Sequence, residues 1–175
     1  MGEIRFPKDV CLICALCYAD EGVKDKAIAR LVDAYGPIQF ASDRMAFSYT
    51  SYYEKEMGRA LEKEYLTFSR CMDPAALPAV KTFTNELEKH FAQDSRRTIN
   101  LDPGYIEAAK LILATTKNYN HRIYIGNGIY GDVQLYWQNG AFHPNPWTYP
   151  DYRENTVRQF FAQVRVTYFN HICRG

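Results

Sequence analysis

The sequence predicts an α+β fold: a mixed, mainly antiparallel sheet with helices packed on it. Three observations carry this expectation. Segments with strand and helix periodicity follow one another irregularly, not as a regular βα repeat. The order strand–helix–strand, strand, helix–strand up to Leu101 permits a ferredoxin-like core. Beyond it, Asn-Gly occurs at 127–128 and again at 139–140, each time between alternating runs, which is the strongest short-range hairpin signal. A C-terminal β-hairpin and helix would then extend the core. At 175 residues and 47% hydrophobic content, the chain is long enough for one domain over 1–175.

Each element has its own reason. "VCLICALCYA" (Val10 to Ala19) is apolar on both faces, as a central strand is. It falls well short of the roughly 20 apolar residues a membrane span needs, and Asp20-Glu21 follows it with no cleavage pattern of a signal peptide. A helix is expected from about Val23 to Tyr35, with Val23, Ala27, Ile28, Leu31 and Tyr35 on one side and Gly36-Pro37 as its stop. "IQF", "MAFSYT" and "YLTFSR" read as short strands. The second helix runs from Asp73 or Pro74 to Phe91, with Leu77, Val80, Phe83, Leu87 and Phe91 on its core face.

After a short strand at Thr98 to Leu101, Asp102-Pro103-Gly104 has the chemistry of a turn. Tyr105 to Thr116 fits a helix through Tyr105, Ala109 and Ile112, or a strand through Leu111 to Thr116; helix is favoured. In the hairpin region, Ile123, Ile125, Ile129, Val133 and Leu135 are expected to face the core, with Arg122, Tyr124, Asp132 and Gln134 on the other face. An amphipathic helix from about Asn155 to Ile172 closes the chain, burying Val157, Phe160, Phe161, Val164 and Tyr168.

Composition narrows the function. A formal charge of +1 gives no global footprint for DNA or RNA, so no DNA partner is expected. Cys11, Cys14 and Cys17 have iron–sulfur-like spacing, but on a strand Cys14 faces away from the other two, so they are expected to be buried thiols in a reducing cytoplasm. No phosphate loop, dinucleotide fingerprint, H-E-x-x-H or paired H-x-[ST] is present. "GNGIYG" is a hairpin turn. His90, His143 and His171 have no ligand spacing with one another, so no zinc site is expected.

The candidate site is built from five segments. On the second helix, Lys81, Thr84, Asn85 and Glu88 border the apolar face, which predicts that Glu88 is more buried than Glu86. "YTSYYEKEMG" supplies Tyr52 and Tyr53 as stacking rings. Around the Asp-Pro-Gly segment stand Asn100, Asp102 and Tyr105. "TTKNYNHRIY" brings Lys117, His121 and Arg122, cations suited to phosphate or carboxylate and a histidine suited to proton transfer. "NPWTYPDYR" offers Trp147 and Arg153 on a proline-stiffened loop. Together these predict a site for a small anionic ligand, phosphorylated or nucleotide-like. Lys81, Lys117 and Arg122 hold the anion; Tyr52, Tyr53 and Trp147 stack. Glu88, Asp102 and His121 are the candidates for catalysis, with Mg²⁺ at Glu88 or Asp102 as one form of it. The alternative is a non-enzymatic module that binds protein or RNA through an aromatic face. Oligomeric state is left open.

Taken in order, "TSYYEKEMG", "TNELE", "INLDPGYI", "LATTK", "HRIYIGNGIY" and "PWTYPDYR" resemble domain-of-unknown-function family 4416, over roughly Val10 to Tyr168. The resemblance implies a cytoplasmic prokaryotic protein and assigns no activity. Some members carry a GTP-binding label, for which this sequence has no motif. Gly131-Asp132-Val133 departs from a more usual Ala-Glu-Val, so no metal or base role is carried over to Asp132.

Overall fold

The computed structural model describes residues 2–49, 54–58 and 60–172. Among the described residues, nine strands form one sheet: β1 (Val10–Tyr18), β2 (Ile38–Ala41), β3 (Met45–Ala46), β4 (Glu62–Met72), β5 (Ile99–Ile106), β6 (Lys110–Thr115), β7 (Ile123–Gly126), β8 (Ile129–Gln138) and β9 (Ala141–Pro144). The helices are α1 (Glu21–Tyr35), α2 (Glu54–Met57), α3 (Leu77–Phe91), α4 (Pro150–Arg153) and α5 (Asn155–Ile172). The sheet order is β2-β4-β1-β5-β6-β8-β7, with β3 also beside β4 and β9 also beside β8.

The first half is a ferredoxin-like core. β2-β4-β1-β5 is antiparallel throughout, α1 crosses from β1 to β2, and α3 crosses from β4 to β5. The second half continues the same sheet with β6 to β9 and covers it with α5.

Alternation along β1 builds two cores. Leu12, Cys14 and Leu16 pack with Ala27 and Leu31 of α1 and Val80 and Leu87 of α3. Cys11, Ile13 and Ala15 face the opposite layer, against Val157, Phe161, Val164 and Tyr168 of α5. Asp20 caps α1 by accepting from the Val23 N–H at 3.1 Å. Both Asn-Gly pairs make the hairpin turns their sequence predicts, with Asn127 and Gly128 both at positive φ (52° and 75°).

Four local expectations are corrected. "MAFSYT" yields only the two-residue β3, and its Thr50 lies outside the described residues. Tyr105 to Thr116 is no helix: β5 ends at Ile106, a short turn follows, and β6 runs buried between β5 and β8. A helical period at Tyr105, Ala109 and Ile112 loses to the stronger gain of burying Leu111 to Ala114 on both faces. In the hairpin, Ile123 and Ile125 are exposed because β7 is the last strand of the sheet, whereas Asp132 and Gln134 on β8 are buried.

Asp102-Pro103-Gly104 is not a turn either; β5 runs straight through it. Each turn-like residue has a different job in the strand. β5 pairs with β1 over its whole length but with β6 only from Gly104 to Ile106. The Leu101 N–H and C=O are met by side chains of α3 and not by β1, so alternation aims Leu101, Pro103 and Tyr105 toward the β6 side. Pro103, with no N–H to give, therefore sits where that side has lost its strand. Gly104 lies where β6 comes closest, and a Cβ there would stand 2.2 Å from the Ile112 carbonyl oxygen.

Two outcomes follow from this packing. Gly104→Ala forces backbone apart and is expected to destabilise by about 1–3 kcal/mol, read as a lower denaturation midpoint at unchanged slope. Cys11, Cys14 and Cys17 are buried, and burial pushes the Cys11 thiol up to about 12 and the Cys17 thiol up to about 11. Alkylation of these three without denaturant should be slow; stoichiometric iron in protein purified without air would contradict the assignment.

Candidate functional site

The site begins at the split in the sheet. Past the Gly104–Leu113 pair, β6 stays with β8 through Thr115 and leaves the first half of β5 without a neighbour on that side. α3 lies across the opening. Lys81, Thr84 and Glu88 share a face through i, i+3 and i+7 spacing, and all three are buried. Lys81 Nζ donates to the Leu101 carbonyl at 2.9 Å, and Glu88 Oε1 accepts from the Leu101 N–H at 2.6 Å. Two side chains thus do for Leu101 what a paired strand does elsewhere. Charge-assisted bonds of this kind are worth about 1.5–3 kcal/mol each.

Asn100 and Asp102 pair with Cys17 and Ala15, so they point to the other face of the sheet, toward α4. Because β5 has an open edge, Lys81 reaches around it. Its Nζ lies 3.2 Å from Asp102 Oδ1, while Asn100 Nδ2 donates to Asp102 Oδ2 at 2.7 Å. The two faces meet in one crevice of about 1100 Å³. Lys81, Asn85, Glu88, Asn100, Asp102 and Lys117 all line it, from α3, β5 and the segment after β6.

Other lining residues were not singled out from the sequence. Lys63 of β4 is buried and pairs with Asp151 at 2.6 Å; Tyr65 donates its hydroxyl to the same carboxylate at 2.6 Å. The Lys63 ammonium also lies 4.9 Å from the centre of the Phe47 ring and 5.4 Å from that of Tyr152. Arg97 donates to Glu56 at 2.6 Å and to Asn100 Oδ1 at 3.2 Å. Tyr49 and Tyr149 supply aromatic walls. "EKE" at 62–64 looks like a solvated charge run, and the burial of Lys63 and Glu64 comes only from long-range packing. "PDYR" gave a weak hint of Asp151 and no hint of its partner.

The electrostatics separate two carboxyls. Burial raises Asp102, but Lys81, Lys63 and the Asn100 amide outweigh it and hold this carboxyl below its ordinary range. Burial dominates at Glu88 and pushes it up to about 7 against the pull of Lys81, the Leu101 N–H and Arg97. As the helix phase predicts, Glu88 is buried while the Glu86 side chain is 63% exposed.

The remaining described candidates lie outside the lining. Arg122 holds the rim: it donates to Asp132 at 2.7 Å, to the Lys117 carbonyl at 3.0 Å and to the Tyr149 hydroxyl at 3.0 Å. His121 is stacked with Tyr119 and with Trp147, at centroid distances of 6.1 and 5.0 Å, and its Nε2 lies 3.6 Å from Asp132. Trp147 donates its indole N–H to the Val133 carbonyl at 2.9 Å. Arg153 donates to the carbonyls of Pro146 and Thr148, fixing its own loop. Tyr105 packs beside Leu77 and Ile112. Tyr52 and Tyr53 lie outside the described residues.

Among the described residues, no three His, Cys, Asp or Glu gather as a metal site. The donor set suggested for Mg²⁺ does not fit: both Asp102 oxygens are engaged by protein donors, and Glu88 has one oxygen on Leu101.

Fold and crevice together define an α+β protein whose sheet is split to form a polar, charge-lined cleft. The chain belongs to a family described as domain of unknown function (DUF4416), whose model matches residues 8–168. No curated protein and no solved structure matches it. Among the described residues, no helix is long and apolar enough to cross a membrane.

The raised Glu88 carboxyl fixes the sign of one pH effect. A carboxyl lifted from 4.5 to about 7 on folding contributes stability that is fully present below about pH 4.5 and is lost as pH rises to about 7. Melting temperatures of the native chain should therefore fall across that window relative to Glu88→Gln. Parallel melting curves for the two proteins between pH 4.5 and 8 would contradict it.

Proposed function

We propose that the crevice binds a small phosphorylated or nucleotide-like anion. The observation that carries the reading is the gathering of Lys81, Lys117, Arg97 and Lys63 with two amides and aromatic walls around one cavity of about 1100 Å³, a size suited to a nucleotide or sugar phosphate. In this reading Asp102 stays ionised and orients Lys81. Glu88, titrating near neutrality, is the group able to give or take a proton. Buried free thiols support a reducing, cytoplasmic setting.

A second reading rests on a different surface. Ile123, Tyr124 and Ile125 are exposed on the terminal strand β7, and the Tyr119–His121–Trp147 stack is partly exposed. That face suits a protein or RNA partner.

A thermal-shift comparison separates them. Ribose 5-phosphate and AMP should raise the melting temperature while adenosine alone should do less; a ligand at 100 times its Kd adds about 2.7 kcal/mol. Lys117→Ala should shrink the shift. No response to either phosphate, together with RNA or protein binding lost in Trp147→Ala, would replace the first reading by the second.

A further inference from the structure

The carboxylates of the crevice are not equivalent in their partners. Glu56 holds Arg97 at 2.6 Å, Glu86 holds Lys89 at 2.7 Å, Asp102 holds Lys81 at 3.2 Å and Asp151 holds Lys63 at 2.6 Å. Glu88 is the most poorly served: the nearest cation in salt-bridge range, Arg97, lies 4.0 Å away and is committed to Glu56. Its side chain is buried, and among the described residues its one close donor is a backbone N–H. A buried carboxylate without its own cation is the group whose charge is dearest to keep when more negative charge arrives.

We propose that an anion entering the crevice is accompanied by one proton, which Glu88 takes up and then shares with the anion as a hydrogen-bond donor. This rests on the crevice reading above and specifies how that site is regulated. Glu88 Oε1 stays on the Leu101 N–H, and Oε2, toward Arg97, is the oxygen that carries the proton. The groups facing Glu88 are consistent with this. Lys81 on its own helix and Arg97 before β5 oppose protonation; Asp102 on β5 favours it, and the Cys14 thiol on β1 is neutral. The incoming anion adds a further negative charge and draws Arg97 and Lys81 toward itself, which tips the balance toward the acid form. A carboxylic O–H then meets a ligand oxygen where a carboxylate would have repelled it.

The consequence is a ligand affinity set by pH. Sulfate is the suitable probe, because it remains a dianion near neutrality and leaves the protein as the only titrating partner. Calorimetric titration in two buffers of different ionisation heat, at pH 6 and pH 8.5, reads proton uptake directly. We expect uptake to approach one proton at pH 8.5 and the Kd for sulfate to rise about tenfold per pH unit above about 7. Glu88→Gln, which can still accept from Leu101, should bind sulfate with a flat pH profile and no uptake, while Asp33→Asn, on the exposed side of α1 and outside the crevice, should behave as the native chain. Binding without proton uptake, or a pH dependence that survives in Glu88→Gln, overturns the inference and leaves the crevice reading standing. Failure of both sulfate and ribose 5-phosphate to bind at pH 6 overturns both. The two-buffer measurement needs only the native chain, so it decides the matter even where a variant folds poorly.

Discussion

The structure depends on how one residue, Leu101, satisfies its backbone. A strand that loses its neighbour midway leaves an N–H and a C=O facing low-dielectric protein, each costly to bury alone. Here the donor and acceptor are met by Glu88 and Lys81, one charge of each sign from a single helix face. That solution fixes the position of α3 across the sheet and holds the gap between β5 and β6 open. It also brings Asp102, from the other face of the sheet, within 3.2 Å of Lys81. The crevice is what remains of the space a longer β6 would have filled.

A second interruption in the same sheet is handled differently. On β8, β7 pairs near Ile129 to Gly131 and β9 near Leu135 to Gln138, leaving a stretch between them. There Asn145 and Trp147 both donate to the Val133 carbonyl, and Thr148 donates to that of Gln134. Neutral groups on a proline-bounded loop close this gap. Charged groups on a helix span the other without closing it. The difference in chemistry is the difference between a sealed edge and an open crevice.

Much of this was readable in the sequence because it is local. The buried β1, the phase of α3 that separates Glu88 from Glu86, and the Asn-Gly hairpins follow from side-chain period and turn chemistry. What escaped was set by partners far along the chain. Asp102-Pro103-Gly104 carries real turn preferences, yet Pro103 answers a missing strand and Gly104 answers a close one. Lys63 and Asp151 lie 88 positions apart, and neither looks buried until β4 and α4 are packed together. The inward face expected for Ile123 and Ile125 failed for the same reason: alternation says which residues share a face, not whether anything covers it.

The side chains on Leu101 also bear on how the molecule behaves toward its neighbours in a crowded solution. An unpaired strand edge is a template on which other chains can add strands and build aggregates. Beside an open crevice that hazard is greater, because no neighbouring strand covers the edge. β5 offers no such template: Leu101 is already bonded, and Pro103 presents a ring where a growing sheet needs a donor. The crevice can stay accessible to small molecules while remaining closed to polypeptide.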